Sequence, residues 1–579
     1  MPRIKGKPKP MTSTLGNTSN AGQLDTEDVG HINAFLVNAP VVGTINSISV
    51  YMGPIAAGAQ FQVAIYSDLS GKPGSSVATS AVQALTANAW NTVPITYTFT
   101  AGQPLWLCYN ASGTNPTLNN LTLSPGGSFS WQVAAFGSWP AFGTPEGSSS
   151  EMASIYATYT SSGTGVVPVA IDTFNGHTVY GDANQGDKVI PWQSFRLVAS
   201  TAANWLATQC PLDPATNLPA YYSQAYLNPG TPPTVSDYWQ YNPAGLLSML
   251  IDSGTAWNCF SGNPALLNLA ISLANYHLAH GLTPASNKWS SVPYSGATQG
   301  QASYDGLEKT DAGVEVVGVI EPDKIGEIGW QLANLFNTTG NIAYLNAAIN
   351  NANALVANIR TSGSPWPFRA YALNGNVITD YSCDVIRPIQ LFDALIALNA
   401  GNVASYQTTR TTVWNWLMSG PVTNNQWYNY FEDVPGGAAN VNNYVPLETA
   451  RYLLLNPTSD PNSLAKAQAI VAFVESQLGS TQWGASIMAE QQAYNFAMGS
   501  HTSRYGSVLA LIAKATGDAT VKDKAYRALS WATYEENVNG QVVAFIASGQ
   551  PTQIWFSDGY GDYIRHFVSA MNTFPDWRK

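Results

Sequence analysis

The spacing of apolar residues changes character near residue 165. Ahead of that point, apolar residues alternate with polar ones or gather in short β-rich runs, at 44–51, 60–66, 92–99, 104–109 and 153–159. A period of two buries one face of an extended chain and leaves the other in water. Turn clusters such as Ser70-Gly71-Lys72-Pro73-Gly74 separate the runs. Short strands with regular turns predict an antiparallel β-sandwich over residues 21–160. Residues 1–20 read as a flexible basic arm, and 161–170, beginning Ser161-Ser162-Gly163-Thr164-Gly165, as a linker.

From 171 to 579 the period is helical. Leu464, Ala467, Val471, Val474 and Leu478 recur at spacings of 3 and 4, which places them on one face of a helix over 462–479. Asp460 and Pro461 suit its first turn and Gly479 its end. The same reading predicts helices near 191–210, 237–258, 263–281, 321–341, 343–360, 381–400, 404–420, 442–456, 461–479, 500–516, 519–537 and 558–571. Connections after the even-numbered helices are short and those after the odd-numbered ones long. Short connections make antiparallel neighbours. Six hairpins with every long loop at one end predict an (α/α)6 toroid whose even helices form the inner ring. The alternative is an irregular helical bundle. The fold expected is therefore multidomain, an N-terminal antiparallel β-sandwich followed by an all-α toroid, with the active face at the long loops.

Composition narrows the partners. Only 10% of the 579 residues are charged and the net charge is −11, which disfavours nucleic acid because phosphate binding needs a basic surface. No apolar run approaches the roughly 18 residues of a membrane span. Cys108, Cys210, Cys259 and Cys383 form no CxxC pair, so structural zinc is not expected, and free thiols are favoured over a Cys210–Cys259 bridge. Asp182, Asn184 and Asp187 carry a trace of a calcium loop without the EF-hand spacing. No cofactor is expected beyond such a structural ion. The N-terminus lacks the apolar stretch of a signal peptide, and an extracellular or virion-associated setting is expected with export by another route, a missing leader or release by lysis.

Each long loop, or the turn after it, carries a tryptophan: Trp239, Trp289, Trp366, Trp427, Trp483 and Trp555. With Tyr371 and Tyr430 they suggest a cleft in which sugar rings stack on aromatic faces. Carboxyls sit beside them. Glu432 and Asp433 lie in Tyr-Asn-Tyr-Phe-Glu-Asp-Val, Asp558 and Asp562 in Trp-Phe-Ser-Asp-Gly-Tyr-Gly-Asp-Tyr, and Asp384 opens an inner helix. Glycoside hydrolysis usually needs two such groups. A carboxylate at a helix N-terminus is stabilised ionised, which suits Asp558 or Asp384 as base. A carboxyl among aromatics has its pKa raised, which suits Glu432 as acid; Asp433 is a substitute base. Arg369 and His501 keep a second chemistry open, β-elimination on a uronate by a polysaccharide lyase.

Three runs, Trp-Pro-Phe-Arg-Ala-Tyr at 366–371, Tyr-Phe-Glu-Asp-Val at 430–434 and Trp-Phe-Ser-Asp-Gly-Tyr-Gly-Asp-Tyr-Ile at 555–564, resemble loop-to-inner-helix junctions of (α/α)6 glycan-active enzymes. In the first part, Val-Ala-Ile-Tyr-Ser-Asp at 63–68 and Thr-Ala-Gly-Gln-Pro-Leu-Trp-Leu at 100–107 resemble accessory β-sandwich modules of secreted and phage-borne proteins. The resemblance implies a glycoside hydrolase acting on a polysaccharide or oligosaccharide, inverting by analogy with the scaffold. A lyase and a non-catalytic glycan-binding or virion adhesion protein are the alternatives.

Overall fold

The computed structural model describes residues 12–578, apart from 21–22, 26–28, 40–41, 70, 101–102, 114–121, 162–165, 214–216, 219–224, 229–232, 239, 429–433, 435–439 and 543–560. The chain divides into two compact units. One is residues 1–168 with 182–186 and residue 579, and the other is 169–181 with 187–578.

The first unit is built from two antiparallel sheets. One contains β1 (Thr12–Gly16), β12 (Ile155–Ser161), β4 (Gly43–Met52) and β8 (Ala89–Phe99), in that order. The other runs β11 (Gly147–Ala153), β10 (Thr122–Val133), β3 (His31–Asn38), β9 (Pro104–Ala111), β5 (Gln60–Asp68) and β6 (Pro73–Thr79), with the short β2 (Gln23–Leu24) paired to β10 and β7 (Gln83–Ala84) to β5. One apolar cluster takes residues from both, with Ile45, Ile48 and Val93 from the first and Phe35, Val63 and Leu107 from the second. β8 shows how alternation specifies this: Asn91, Val93, Ile95 and Phe99 are buried, while Thr92, Pro94 and Thr96 face out. β3 was missed by period-two reading because Ile32, Asn33, Ala34 and Phe35 are all buried, which erases the alternation.

The second unit is helical. Its helices are α1 (Phe195–Thr208), α2 (Pro243–Ser261), α3 (Ala265–His280), α4 (Pro322–Thr339), α5 (Ile342–Ala357), α6 (Ile386–Ala397), α7 (Val403–Ser419), α8 (Tyr444–Leu455), α9 (Ser463–Leu478), α10 (Gly499–Thr516), α11 (Ala519–Thr533) and α12 (Gly561–Thr573). The single helical turn Pro421–Asn424 follows α7. Each even helix packs on the next, from α2 to α4, α6, α8, α10 and α12, and α12 packs back on α2. Each odd helix lies against its even partner, with α1 on α12. Among the described residues the ring is closed, with six inner and six outer helices.

Sequence chemistry makes the short turns. α4 ends at Gly340 and α10 at Gly517, both in the left-handed region at φ 72° and 74°. The next residue caps the following helix: Asn341 accepts from Ala343 N at 3.1 Å, and Asp518 from Thr520 N at 2.7 Å. Burial separates the rings. α10 is buried at every position from Gly499 to Ala510, whereas α7 buries only Tyr406, Thr409, Val413, Trp414 and Leu417. Among the described residues no helix is long and apolar enough to cross a membrane. The four cysteines are free.

Two inner helices approach closely. A Cβ on Gly326 of α4 would lie 2.5 Å from Cδ of Pro388 in α6. The proline ring cannot swing aside, so Gly326→Ala is expected to destabilise the fold by about 1–3 kcal/mol. A shift of the urea midpoint measures this; an unchanged midpoint would mean that α4 and α6 can separate freely.

Candidate active site

The odd helices run away from the short turns, so the N-terminal turns of all six even helices open on the end that carries the long loops. Those turns hold a buried charge network. Glu448 of α8 is its hub. It pairs with Arg387 Nη2 at 3.3 Å, Arg504 Nε at 3.4 Å and Arg565 Nη2 at 3.2 Å, from α6, α10 and α12. Burial by itself would push the Glu448 carboxyl up. Arg565, Arg387, Arg451 and Arg504 outweigh it and hold the group well below the usual carboxylate range. Tyr444, at the start of α8, is stacked between two guanidiniums, with Arg504 Cζ at 4.5 Å and Arg387 Cζ at 5.1 Å from its ring. Its hydroxyl accepts from Arg387 Nη2 at 2.6 Å and donates to Glu327. Arg504 also pairs with Asp562, and Arg565 with Asp252 at 2.5 Å.

Beside this network stand buried polar groups with no hydrogen-bond partner among the described residues. Asp384, 1% exposed, has no hydrogen-bond partner for either carboxyl oxygen among the described residues. The hydroxyls of Ser382 and Ser500 and both carboxyl oxygens of Glu535 are in the same condition. Such groups are rare in folded proteins because each costs about 1–3 kcal/mol. Asp384 precedes α6, Ser500 lies in the first turn of α10, and Glu535 follows α11. All lie toward the long-loop end of the ring.

Asp384 does not cap its helix: Val385 holds the cap position and no side chain bonds there. Burial raises the Asp384 pKa well above the ordinary value, and Asp323 of α4 adds to the rise while Arg387 opposes it. The ionised state expected from a helix N-terminus is therefore not what the site favours. Desolvation and a neighbouring carboxylate outweigh the helix dipole. Asp323 Oδ2 lies 3.6 Å from Lys324 Nζ, and both are buried. Close packing at Gly326 and Pro388 is what brings the N-terminal turns of α4 and α6 together.

The other residues singled out from sequence divide sharply. Glu432, Asp433, Asp558, Tyr430, Trp239 and Trp555 lie outside the described residues. Trp289, Trp366 and Trp427 belong to the apolar core and do not line a cleft. Trp366 Nε1 is taken by Leu355 O at 2.9 Å. Indole is the largest apolar side chain available to fill the wedge between loop and helix. Trp483 packs against Phe174 and Tyr534 and bonds Asp172 at 2.8 Å. Arg369 is buried too, paired with Glu308 at 3.5 Å and donating to Lys309 O. Tyr371 is half-buried in the strand Arg369–Tyr371. His501 is buried, with Asn443 Oδ1 at 3.0 Å, Arg504 Nη1 at 2.7 Å and Glu490 at 3.7 Å. Asp562 is committed to Arg504. In the calcium-like run, Asp182 instead accepts from Val167 N and Asn184 N, each at 3.0 Å.

Sequence reading missed Asp323, Glu327, Arg387, Tyr444, Glu448, Arg565, His566 and Glu535. A signal existed for most of them. Polar and charged residues recur at spacings of 3 and 4 in the first turns of inner helices, as in Asp323/Glu327, Tyr444/Glu448, His501/Arg504 and Asp562/Arg565/His566. In a helix otherwise buried all round, that spacing marks a polar stripe facing the ring axis. Glu535 carried no such signal.

These buried groups set a pH dependence. Burial lowers the pKa of His566, helped by Arg565 and Arg504, and lowers His277 to about 4. The unfolded chain takes up those protons below about pH 6.5 and the folded one does not, so they cost stability only on the acid side. Asp384, Glu535 and Glu536 are all raised by burial. Their stabilisation is complete below the unfolded carboxyl pKa of about 4 and is lost as pH rises toward their folded values. Above about pH 6.5 only the carboxyls act, each at about 1.4 kcal/mol per pH unit while its proton is retained. The urea midpoint is therefore expected to fall between pH 6.5 and pH 8. A midpoint that rises over that range would show that these carboxyls are ionised in the folded protein.

No protein-family model matches the chain, and no curated protein matches it. Solved structures do. A family 76 glycoside hydrolase from a bovine Bacteroides thetaiotaomicron strain aligns at 11% identity and TM-score 0.45, covering 96% of this chain and 99% of that one. Cellobiose 2-epimerase from Spirochaeta thermophila aligns at 11% identity and TM-score 0.49, over 66% and 98%. An unsaturated glucuronyl hydrolase specific for heparin aligns at 12% identity and TM-score 0.41, over 66% and 97%. Each of these neighbours is named for an activity on sugars. The toroid itself rests on the closed ring of helix contacts described above.

Proposed function

We propose that the helical unit is a glycoside hydrolase acting on a polysaccharide or oligosaccharide by carboxyl general acid–base catalysis. The two-sheet unit is read as an accessory β-sandwich. The observation that carries this is Asp384: a buried carboxyl with no hydrogen-bond partner among the described residues, whose pKa burial and the neighbouring Asp323 push well above the ordinary value. A carboxyl kept protonated near neutral pH is a proton donor, and two carboxyls with opposed charge states divide the acid and base roles between them. In this reading Asp384 protonates the departing glycosidic oxygen. Asp323, next to Lys324, takes the proton from the attacking water. The loop carboxyls Glu432, Asp433 and Asp558 stay in the proposal as groups that supply or share the base role. Inversion is the expected stereochemistry, and NMR of the first-formed anomer tests it.

A glycan-panel digest with mass spectrometry of the products tests the reaction class. Products heavier by one water support hydrolysis. Products carrying an unsaturated uronate would make the enzyme a lyase and overturn the acid–base assignment.

A further inference from the structure

Glu535 stands outside the Asp384 pair. It follows α11 in the turn Tyr534-Glu535-Glu536-Asn537 and is fully buried, with neither carboxyl oxygen bonded to any described residue. Its neighbours are already occupied. The Tyr563 hydroxyl donates to Ala532 O at 2.8 Å. Asn175 Nδ2 donates to the backbone oxygens of Tyr534 and Glu535, each at 3.1 Å. Thr201 donates to the adjacent Glu536. No cation pairs with Glu535 among the described residues.

The backbone makes room for this side chain. A Cβ on Gly499, the first residue of α10, would lie 2.6 Å from Glu535 Cγ. Gly499 has no positive φ that would call for glycine. Its missing side chain is explained by the space that Glu535 fills. The next residue, Ser500, has a buried hydroxyl that is also without a partner among the described residues.

We propose that Glu535 is a substrate-binding acid of the same site, giving and accepting hydrogen bonds with the hydroxyls of a neutral sugar residue at the first turn of α10, and that it selects against uronates. The inference rests on the glycoside hydrolase reading. A protonated carboxyl presents one donor and one acceptor edge, as a pair of sugar hydroxyls does. A uronate there would bring a full negative charge into a buried region, against a carboxyl that no cation pairs with among the described residues, and burying an unpaired charge is costly. Burial raises the Glu535 pKa, which agrees with a neutral acid.

The test uses the full-length Asp384→Asn protein, in which turnover is blocked, and calorimetric titration with trisaccharides. The neutral probes are those of glucose, mannose and xylose; the anionic ones are those of galacturonate and mannuronate. At least one neutral probe is expected to bind, with the uronates at least about tenfold weaker. Adding Glu535→Ala should weaken the neutral probe about tenfold, the worth of one or two hydrogen bonds, and Glu535→Gln, which keeps a donor and an acceptor, should restore most of it. If Glu535→Ala does not fold, Gly499→Ala displaces the intact carboxyl and should give the same loss. Unchanged binding in Glu535→Ala, tighter binding of uronates, or a Glu535→Gln as damaging as the alanine would each overturn the proposal and leave the hydrolase reading standing. Binding of no probe by the parent protein would overturn the glycan reading and this inference together.

Discussion

Asp384→Asn is expected to stop turnover while leaving the protein folded. The site already favours the neutral carboxyl, since burial and Asp323 raise its pKa. Asparagine has the shape of that neutral acid and no proton to give. Loss of a positioned proton donor removes about a hundredfold to ten-thousandfold in rate, so kcat on the responsive glycan should fall by about a thousand. Stability should hold or rise, because the substitution removes a carboxyl that cannot ionise freely inside the fold. That pairing separates a catalytic acid from a structural one: a structural Asp384 would lose stability and activity together. Asp323→Asn should also stop turnover, and at the cost of the Lys324 contact. Wild-type kcat in Asp384→Asn would end the proposed mechanism, whatever its stability.

Glu448→Gln should have the largest effect on folding. Three guanidiniums converge on this carboxylate, and all four groups are buried. Removing the negative charge leaves Arg387, Arg504 and Arg565 facing one another with a weaker acceptor between them. Breaking a buried ion pair from one side costs about 3–5 kcal/mol. Native domains hold only about 5–15 kcal/mol in all, so the variant should unfold at much lower urea or fail to accumulate. Because the folded pKa of Glu448 is depressed, its stabilisation is present above the unfolded pKa of about 4.3 and is lost only as pH falls toward the folded value. A Glu448→Gln protein with the wild-type urea midpoint would mean that Asp562, Asp252 and Glu327 already neutralise the ring.

Much of the architecture could be read from residue order. The turns between α4 and α5 and between α10 and α11 are written locally, as Gly340-Asn341 and Gly517-Asp518, because helix ends are chemistry of two or three adjacent residues. The ring follows from alternating loop lengths, because a short connection leaves a helix no neighbour but the one before it. Strand β8 was visible by alternation and β3 was not, because one is buried on a single face and the other on both.

The site was another matter. Trp366 and Arg369 stand in a loop by sequence, and only the fold shows that one is packed into the apolar core and the other paired with Glu308. Asp384 was visible as a helix-start carboxyl, yet its charge state depended on Asp323, 61 positions away in sequence, and on complete burial. Glu535 had no local mark, since what singles it out is the missing Cβ of Gly499 across a helix junction. Caps, turns and periods act between neighbours along the chain, so the helices and their order around the ring could be read from residue order alone. Solvation and Coulomb terms act through space between groups that only folding brings together, so which carboxyls are pushed up by burial and which are held down by arginine emerges only in the folded ring.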